Sequence, residues 1–261
     1  MEQSETAGSR FTLKRAGDFR ERLRELWTRR WFRLAAYAAG LLLLGYAIMW
    51  LLFARDLPSV DKLRTYEPPL PTNVRAIDGA PVHSYARERR VQLSYAEYPP
   101  MLVRAYMSAE DKNFFSHHGV DYFGIVRAVV TNLTRSGRPI GASTITQQVA
   151  KNLLLTNEVS YSRKIKEAIL ANRIESALTK EQIMELYLNQ IFLGRNAYGV
   201  QAASRAYFDK DVDQLTLPEM AYLAILPKAP SNYDPERHAD RALERRNWVL
   251  GLMLDQERIS Q

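Results

Sequence analysis

An uncharged stretch of 20 residues, LAAYAAGLLLLGYAIMWLLF, runs from Leu34 to Phe53 and constrains the fold more than any other feature of the sequence. A helix rises about 1.5 Å per residue, so this stretch spans roughly 30 Å, the hydrocarbon thickness of a bilayer. Trp31 and Trp50 lie near its two ends, where indole rings favour the membrane interface. A buried core helix seldom lacks a polar face over this length, and the apolar region of a cleaved signal peptide is usually shorter. We therefore predict an uncleaved transmembrane helix over residues 34–53.

The charges around this stretch predict its orientation. Residues 1–33 hold nine basic and five acidic side chains, a net charge of +4, whereas few charges follow Phe53 closely. The positive-inside rule then makes residues 1–33 a cytoplasmic basic tail and everything after Phe53 extracytoplasmic. The whole chain carries a formal charge of +7, which suits anionic partners such as phosphates, membrane surfaces or nucleic acid. The chain has no cysteine, which excludes disulfides and thiolate metal sites.

The remaining sequence predicts a linker followed by one domain. Residues 54–73 indicate a linker, since the segment EPPLPTN at its end has three prolines and no periodicity. The segment VRAIDGAPVHSY predicts a small hairpin with Asp78 and Gly79 at its turn. From Tyr98 onward, apolar residues recur at intervals of three and four, which is typical of amphipathic helices. We therefore expect a mainly α-helical domain over residues 74–261.

The segment EDKNFFSHHG contains a candidate catalytic acid. Glu110 and Asp111 are adjacent and precede two phenylalanines and two histidines. A carboxylate packed against aromatic rings has its charged form desolvated, which raises its pKa toward the range of a general base. The same pair could instead be a solvated helix edge, and this segment alone does not decide. Adjacent histidines point about 100° apart on a helix, which disfavours a shared metal ion.

The segment GASTITQQVAKN predicts a helix with Ser143 at its N-cap and a polar strip opposite an apolar one. Gln147 and Lys151 are four residues apart, and Thr144 lies at the helix start, where free N–H groups favour an anion. A lysine, hydroxyls and amides in this arrangement suit a phosphate or a sugar. A solvated amphipathic face would show the same spacing.

The segment RKIKE places two cations beside a carboxylate. Arg163 is four residues and Lys164 three residues before Glu167, so the three side chains share one helical face. They could form a surface ion pair, worth about 0.2–1 kcal/mol. They could also bind a diphosphate beside an acid.

These three segments occur in order and are followed by YLNQIFLGRNAYGVQAASRAYF and LTLPEMAYLAILPKAPSNYDP. Together they resemble the peptidoglycan glycosyltransferase module, glycosyltransferase family 51, of class A penicillin-binding proteins and monofunctional transglycosylases. All five family motifs are recognisable, over roughly residues 75–261. The resemblance implies a mainly α, lysozyme-like, two-lobed domain with a small membrane-proximal jaw, preceded by one transmembrane helix.

The resemblance also implies an activity: polymerisation of lipid II into β-1,4-linked glycan strands with release of undecaprenyl diphosphate, by an inverting general-base mechanism. Glu110 would be the base, and Glu167 would assist the departing diphosphate. The positions that it implies for substrate binding are Asp111, Ser143, Thr144, Gln147, Gln148, Lys151, Asn152, Arg163, Lys164 and Lys228.

The family also sets expectations for ligands and location. We expect no tightly bound cofactor, with a divalent cation (Mg or Mn) at the diphosphate as an option. The expected partners are lipid II, the growing glycan strand, the bacterial inner membrane and division or elongation proteins, but no nucleic acid. The chain would be a single-pass inner-membrane protein with its catalytic domain in the periplasm.

The sequence departs from the family pattern at a few points. Asn196 and Asp209 stand where the family often has glycine, which puts two turns in question. The motifs of a penicillin-binding transpeptidase domain are absent, and the final segment LDQERISQ resembles a helix that leads onward in bifunctional enzymes. We therefore expect a truncated class A protein of the penicillin-binding protein 1a type, with a monofunctional enzyme as the alternative.

Two other functions fit parts of the pattern. A lytic transglycosylase has a related fold but would not need the cations Lys151, Arg163 and Lys164. A non-catalytic scaffold would be marked by the loss of Glu110 or Glu167, and both are present.

Overall fold

The computed structural model describes residues 30–64, 66, 72–75, 77, 81–85, 91–134, 141–156, 158 and 160–260. The chain divides into two compact units, Met1–Asp56 and Leu57–Gln261. Residues 1–29 of the predicted cytoplasmic tail lie outside the described residues. The predicted turn at Asp78 and Gly79 lies outside them as well.

The described part of the first unit is one continuous helix. Helix α1 (Arg30–Met49) continues through a π-helical turn at Trp50–Ala54. It is rich in leucine and alanine, which are strong helix formers, and contains no proline. Among the described residues, Arg30–Ala54 is the one helix long and apolar enough to cross a membrane. The predicted apolar segment is therefore a helix of the required length.

The second unit begins with a short 3-10 helix, Val60–Leu63, and a two-stranded sheet. Strands β1 (Thr72–Arg75) and β2 (Pro81–Tyr85) pair antiparallel, with Thr72 opposite Tyr85. The register shifts between Val74 and Arg75. The antiparallel pairing of the predicted hairpin is confirmed.

Helices dominate the rest of this unit, which confirms the mainly α fold. Its described part contains eight α-helices: α2 (Pro100–Glu110), α3 (Tyr122–Thr134), α4 (Ile145–Leu154), α5 (Tyr161–Ala177), α6 (Lys180–Gln190), α7 (Val200–Phe208), α8 (Leu217–Ile225) and α9 (Ala239–Asp255).

Two groups of packed helices form the core and bring the functional segments together. Helix α8, buried from Met220 to Ile225, packs against α2 and α9, while α4 packs against α5 and α6. The fully buried Tyr106 of α2 donates a hydrogen bond to the carbonyl oxygen of Leu223 in α8 (3.0 Å), which satisfies its hydroxyl inside the core. The C-terminal end of α2 meets the N-terminal end of α4, where Ile145 N–H donates to Asp111.

Reciprocal caps determine where the helices begin. Helix α4 starts after Thr144, whose hydroxyl accepts from Gln147 N–H while the Gln147 side chain accepts from Thr144 N–H. The prediction of Ser143 as the N-cap is wrong by one residue, because Thr144 is the hydroxyl residue three positions before a glutamine. Helices α6 and α8 start with the same kind of box, at Thr179 and Thr216.

The two positions where glycine was expected keep the turn geometry that glycine favours. Asn196 has a φ of 57° and Asp209 a φ of 54°, both in the left-handed region. Asn and Asp tolerate this region better than other non-glycine residues. Both positions therefore have the left-handed backbone that glycine would adopt without strain.

Helix α3 differs from the other described α-helices of the second unit because none of its residues is buried. Its apolar side chains lie on the surface, and Phe123 and Leu133 are each more than 80% exposed. Gly124, Arg127 and Thr131 of the same helix line a small cavity that also includes Glu110.

Candidate active site

A cavity of about 870 Å³ in the second unit collects most of the predicted site residues. Helix α2 contributes Glu110 at its last position, and α4, α5 and the segment after α8 contribute polar and cationic side chains. The predicted residues in its lining are Glu110, Ser143, Gln147, Gln148, Lys151, Arg163, Lys164, Glu167 and Lys228.

The carboxylate of Glu110 lies in the wall of this cavity and is held by one direct hydrogen bond. The side-chain amide of Gln148 donates to Glu110 Oε2 at 2.8 Å. This contact joins the end of α2 to the first turn of α4. Gln148 therefore orients the carboxylate in the cavity wall.

Burial raises the pKa of Glu110 above its ordinary value. The loss of solvation is the largest cause and the neighbouring charge of Asp111 adds to it, whereas the Gln148 hydrogen bond and the cations Arg245 and Lys228 act in the opposite direction. The side chain is thus a carboxylate whose basicity is increased by its surroundings. Burial thus supplies the desolvation expected of a general base, and the catalytic role of Glu110 stays a prediction.

Asp111, although adjacent in sequence, is committed to internal contacts. It is buried, and its carboxylate lies 2.9 Å from His117 Nε2 and accepts from Ile145 N–H at 3.0 Å. The anion that the N-terminus of α4 binds is therefore the chain's own Asp111. His117 shapes the turn after α2 through this contact.

Gly119 completes this turn. Its φ is +74°, and a β-carbon there would lie 2.8 Å from the backbone of Ala171 and of Asn172. Its carbonyl oxygen accepts from the hydroxyl of Thr144 at 2.6 Å. The hydroxyl of Thr144 and the side chain of Gln147, both predicted to bind substrate, thus make internal bonds at the start of α4.

A second carboxylate, Glu167 on α5, is bracketed by the two predicted cations. Its buried side chain accepts from Arg163 Nη1 on one oxygen and from Lys164 Nζ (2.7 Å) on the other. Lys164 also donates to the hydroxyl of Ser143 (2.8 Å). Arg163 donates to the carbonyl oxygen of Glu158 as well. This is a fixed cationic group, with the half-exposed Lys164 facing the cavity.

The remaining predicted residues are placed differently from one another. Lys151 is exposed and lines the cavity, one turn beyond Gln147 on α4. Lys228 ends the short 3-10 helix after α8, lines the cavity and acts electrostatically on Glu110. Asn152 is exposed on α4 and is absent from the cavity lining.

The sequence reasoning missed the wall that α9 contributes. Arg241, Arg245 and Trp248 line the cavity, and the Arg245 guanidinium stacks 3.6 Å from the centre of the Trp248 indole ring. Arg245 Nε is buried and has no hydrogen-bond partner among the described residues. The spacing of these residues, four and then three along one helical face, was the signal that could have identified them.

The arrangement separates two chemical tasks within one cavity. Glu110 is a carboxylate with an elevated pKa, suited to accepting a proton. Arg163 and Lys164 supply fixed positive charge suited to a phosphate. The described residues contain no group of three or more His, Cys, Asp or Glu side chains that could hold a metal ion.

Comparison with known proteins shows the family of this chain. The family profile described as Transglycosylase matches residues 78–254, more than half of the chain. The chain belongs to the Transglycosylase family. The family resemblance inferred from the five motifs is confirmed.

The individual relatives that the chain resembles are penicillin-binding proteins 1A. The chain is 52% identical to penicillin-binding protein 1A of Rickettsia felis over 206 residues, 78% of this chain and 26% of that protein. It is 46% identical to penicillin-binding protein 1A of Neisseria lactamica over 229 residues, 88% of this chain and 28% of that protein. The 2.6 Å crystal structure of penicillin-binding protein 1A from Haemophilus influenzae aligns with 75% of this chain and 20% of its own, at 29% identity and a TM-score of 0.42. The chain thus spans about a quarter of the length of these relatives.

Proposed function

We propose that this chain is a peptidoglycan glycosyltransferase that polymerises lipid II into β-1,4-linked glycan strands and releases undecaprenyl diphosphate. The observation that carries the proposal is the cavity that joins Glu110, with its raised pKa, to the cation-bracketed Glu167. A transfer from a sugar diphosphate needs a base for the attacking hydroxyl and positive charge for the departing phosphate.

Glu110 is the base in this proposal. Its Oε1 accepts the proton of the 4-hydroxyl on the acceptor N-acetylglucosamine, while Gln148 holds Oε2 at 2.8 Å. The acceptor oxygen attacks the anomeric carbon of the donor N-acetylmuramic acid as the bond to the diphosphate breaks. Attack opposite the leaving group converts the α-linked donor into a β-linked product, so the reaction inverts configuration.

Arg163 and Lys164 stabilise the departing diphosphate. Negative charge grows on the phosphate oxygens as the anomeric bond breaks, and fixed cations there lower the barrier because they need little reorganisation. Glu167 holds both cations in place, and Ser143 anchors Lys164 from the segment before α4. Lys151 and Lys228 extend the positive lining of the cavity.

A divalent cation at the diphosphate fits the described residues poorly. Each oxygen of Glu167 already accepts a bond from a cationic side chain, so the carboxylate is not set up as a metal ligand. We therefore propose no tightly bound cofactor, and the mechanism above uses side-chain cations to neutralise the diphosphate.

A lipid-linked substrate also explains two apolar features. Helix α1, extended to Ala54, is long and apolar enough to cross a membrane. In this proposal it anchors the chain, with the N-terminal tail in the cytoplasm and the second unit in the periplasm. Within the second unit, the exposed apolar side chains of α3 suit a membrane-proximal jaw. Both features would bring the cavity close to the undecaprenyl chain of lipid II.

Replacement of Glu110 by glutamine tests the mechanism. Glutamine keeps the shape of the side chain but cannot take the proton, so polymerisation of fluorescent lipid II should fall by about 10²–10⁴-fold. The variant should be no less stable than the wild type at neutral pH, because the substitution removes a charge that is costly to bury. A folded Glu110→Gln protein that polymerises within a few-fold of wild type would refute the assignment.

The neighbouring Asp111→Asn change is the matched control. It removes the charge that binds His117 and the N-terminus of α4, so the free energy of unfolding should decrease by about 1–2 kcal/mol. Glu110 keeps its carboxylate in this variant, and glycan formation should still depend on pH through its ionisation. Circular dichroism during thermal unfolding and the polymerisation assay separate the two effects.

A further inference from the structure

The chain reverses direction directly after α9. Glu257 adopts a left-handed conformation with a φ of 55°, and Arg258 N–H donates back to the carbonyl oxygen of Met253 at 2.8 Å. This is the turn with which many helices end, here with glutamate at the position that usually holds glycine. The reversal directs the side chain of Arg258 toward the last turn of α2.

The Arg258 guanidinium donates three hydrogen bonds to α2 and the turn that follows it. Its Nη1 donates to the carbonyl oxygen of Arg104 (2.8 Å) and to the hydroxyl of Ser108 (3.0 Å), and its Nη2 donates to the carbonyl oxygen of Lys112 (2.8 Å). The Ser108 hydroxyl also donates to Gln256 Oε1 at 3.1 Å. We call Gln256–Arg258 the C-terminal clasp.

The clasp contacts α2 and the turn after it at residues outside the lining of the 870 Å³ cavity. Its contacts fall at residues 104, 108 and 112, each four positions apart. Glu110 is two positions from 108, and two residues on a helix differ by about 200° in direction. Arg258 is not among the residues that line the cavity. The guanidinium therefore binds the part of the backbone that holds Glu110, but it does not line the cavity.

We propose that Arg258 is a positioning residue, which fixes Glu110 by holding the backbone before and after it. Helix α2 ends at Glu110, and the Arg258 guanidinium ties its middle, at Arg104 and Ser108, to the turn beyond it, at Lys112. The planar guanidinium binds carbonyl groups before and after Glu110 at once, which a flexible ammonium group cannot do equally well. This proposal rests on the proposed role of Glu110 as the base.

The clasp is separate from the motifs that define the family. It begins after residue 254, where the family match ends. Its effect on catalysis would be geometric, since a shift of about 1 Å in a reacting group can cost about 100-fold in rate. Binding of the diphosphate would be spared, because Arg163 and Lys164 lie on α5.

Hydrogen exchange tests the structural half of the proposal without any substrate. In an Arg258→Met variant, the backbone amides of residues 108–114 should exchange faster than in the wild type. Arg246→Met is the matched control, since Arg246 lies on α9 and its guanidinium donates to the adjacent Asn247. Unchanged exchange at residues 108–114 in a folded Arg258→Met protein would overturn the proposal.

Kinetics on lipid II test the functional half. In Arg258→Met, kcat should fall about 10- to 100-fold while KM stays within about twofold, and Arg258→Lys should recover part of kcat. A merely structural role would lower the amount of folded enzyme and leave kcat per folded molecule unchanged, and that result would also overturn the proposal. If the wild-type chain does not polymerise lipid II, the proposed function fails, and the exchange experiment alone still decides whether the clasp holds the end of α2.

Discussion

At the scale of single residues, Glu110 and Asp111 show how the fold assigns different tasks to identical functional groups. Glu110 lies at the cavity with one amide donor and a raised pKa. Asp111 turns inward to His117 and to the N-terminus of α4. One carboxylate is kept reactive and the other holds two elements together.

The pKa of Glu110 predicts a pH dependence that a second residue controls. Activity requires the ionised form, so kcat/KM should rise with pH through a pKa above the ordinary value of 4.5. Arg245 favours the ionised form, and replacing it with methionine should therefore raise this pKa further and move the acid limb to higher pH. Arg246→Met should leave the limb in place. The measurement is the pH profile of kcat/KM for the wild type and the two variants. If the acid limb of Arg245→Met lies at the same pH as that of the wild type, the cation does not act on Glu110.

The cations beside Glu167 give a second prediction at this scale. Arg163→Ala or Lys164→Ala should slow polymerisation about 10- to 100-fold, because each charged contact to a phosphate is worth roughly 1.5–3 kcal/mol. Arg163→Ala should also lower the melting temperature, since it removes a partner of the buried Glu167. Lys166→Ala, on the same helix but outside the cavity lining, is the control. Wild-type rates in both variants would disprove the leaving-group role.

At the scale of elements, caps and turns decide where the functional side chains stand. Helix α4 begins at Ile145 because Thr144 and Gln147 cap each other and because Asp111 binds the first free N–H group. That start places Gln148 against Glu110 and Lys151 one turn further along the cavity. The end of α2 is defined equally sharply at Glu110, with the clasp behind it.

The left-handed residue after α7 offers a test of local strain. Asp209→Gly should stabilise the protein by about 0.5–1 kcal/mol, since glycine adopts the φ of 54° without a steric penalty. The melting temperature should rise by about 1–4 °C for a unit of this size. Asp213→Gly, in a short 3-10 helix, should lower it instead. A lower melting temperature for Asp209→Gly would mean that its side chain contributes more than its strain costs.

At the scale of the whole molecule, the apolar helix and the charges before it predict a topology. Residues 1–33 should be cytoplasmic and the chain after Phe53 extracytoplasmic, because positive flanks stay inside. Protease added to intact spheroplasts should digest the second unit and spare the tail. Adding lysines after Phe53 while neutralising the tail should reverse the pattern. A second unit protected in the wild-type protein would refute this orientation.

Several features of this protein were determined by the sequence alone. The uncharged, apolar stretch of residues 34–53 is long enough to predict a membrane-spanning helix. The helical periodicity after Tyr98 predicts a mainly α domain. The spacing of Arg163, Lys164 and Glu167 predicts that they share one face of a helix, and their ion pairs in the structure confirm this. Such features are local: they depend on residues a few positions apart, so the order of the residues is enough to predict them.

Only the tertiary structure decided which polar residues face the cavity and which are used internally. Thr144 and Asp111 have the chemistry of ligand-binding residues, yet the Thr144 hydroxyl donates to the Gly119 carbonyl oxygen and Asp111 accepts from the first N–H group of α4. Arg245 and Arg258 lie more than 130 residues from Glu110 in sequence, and only the packing of α9 against α2 brings them near it. The reason is physical: a pKa shift or a buried hydrogen bond depends on what surrounds a group in space, and long-range packing sets those surroundings.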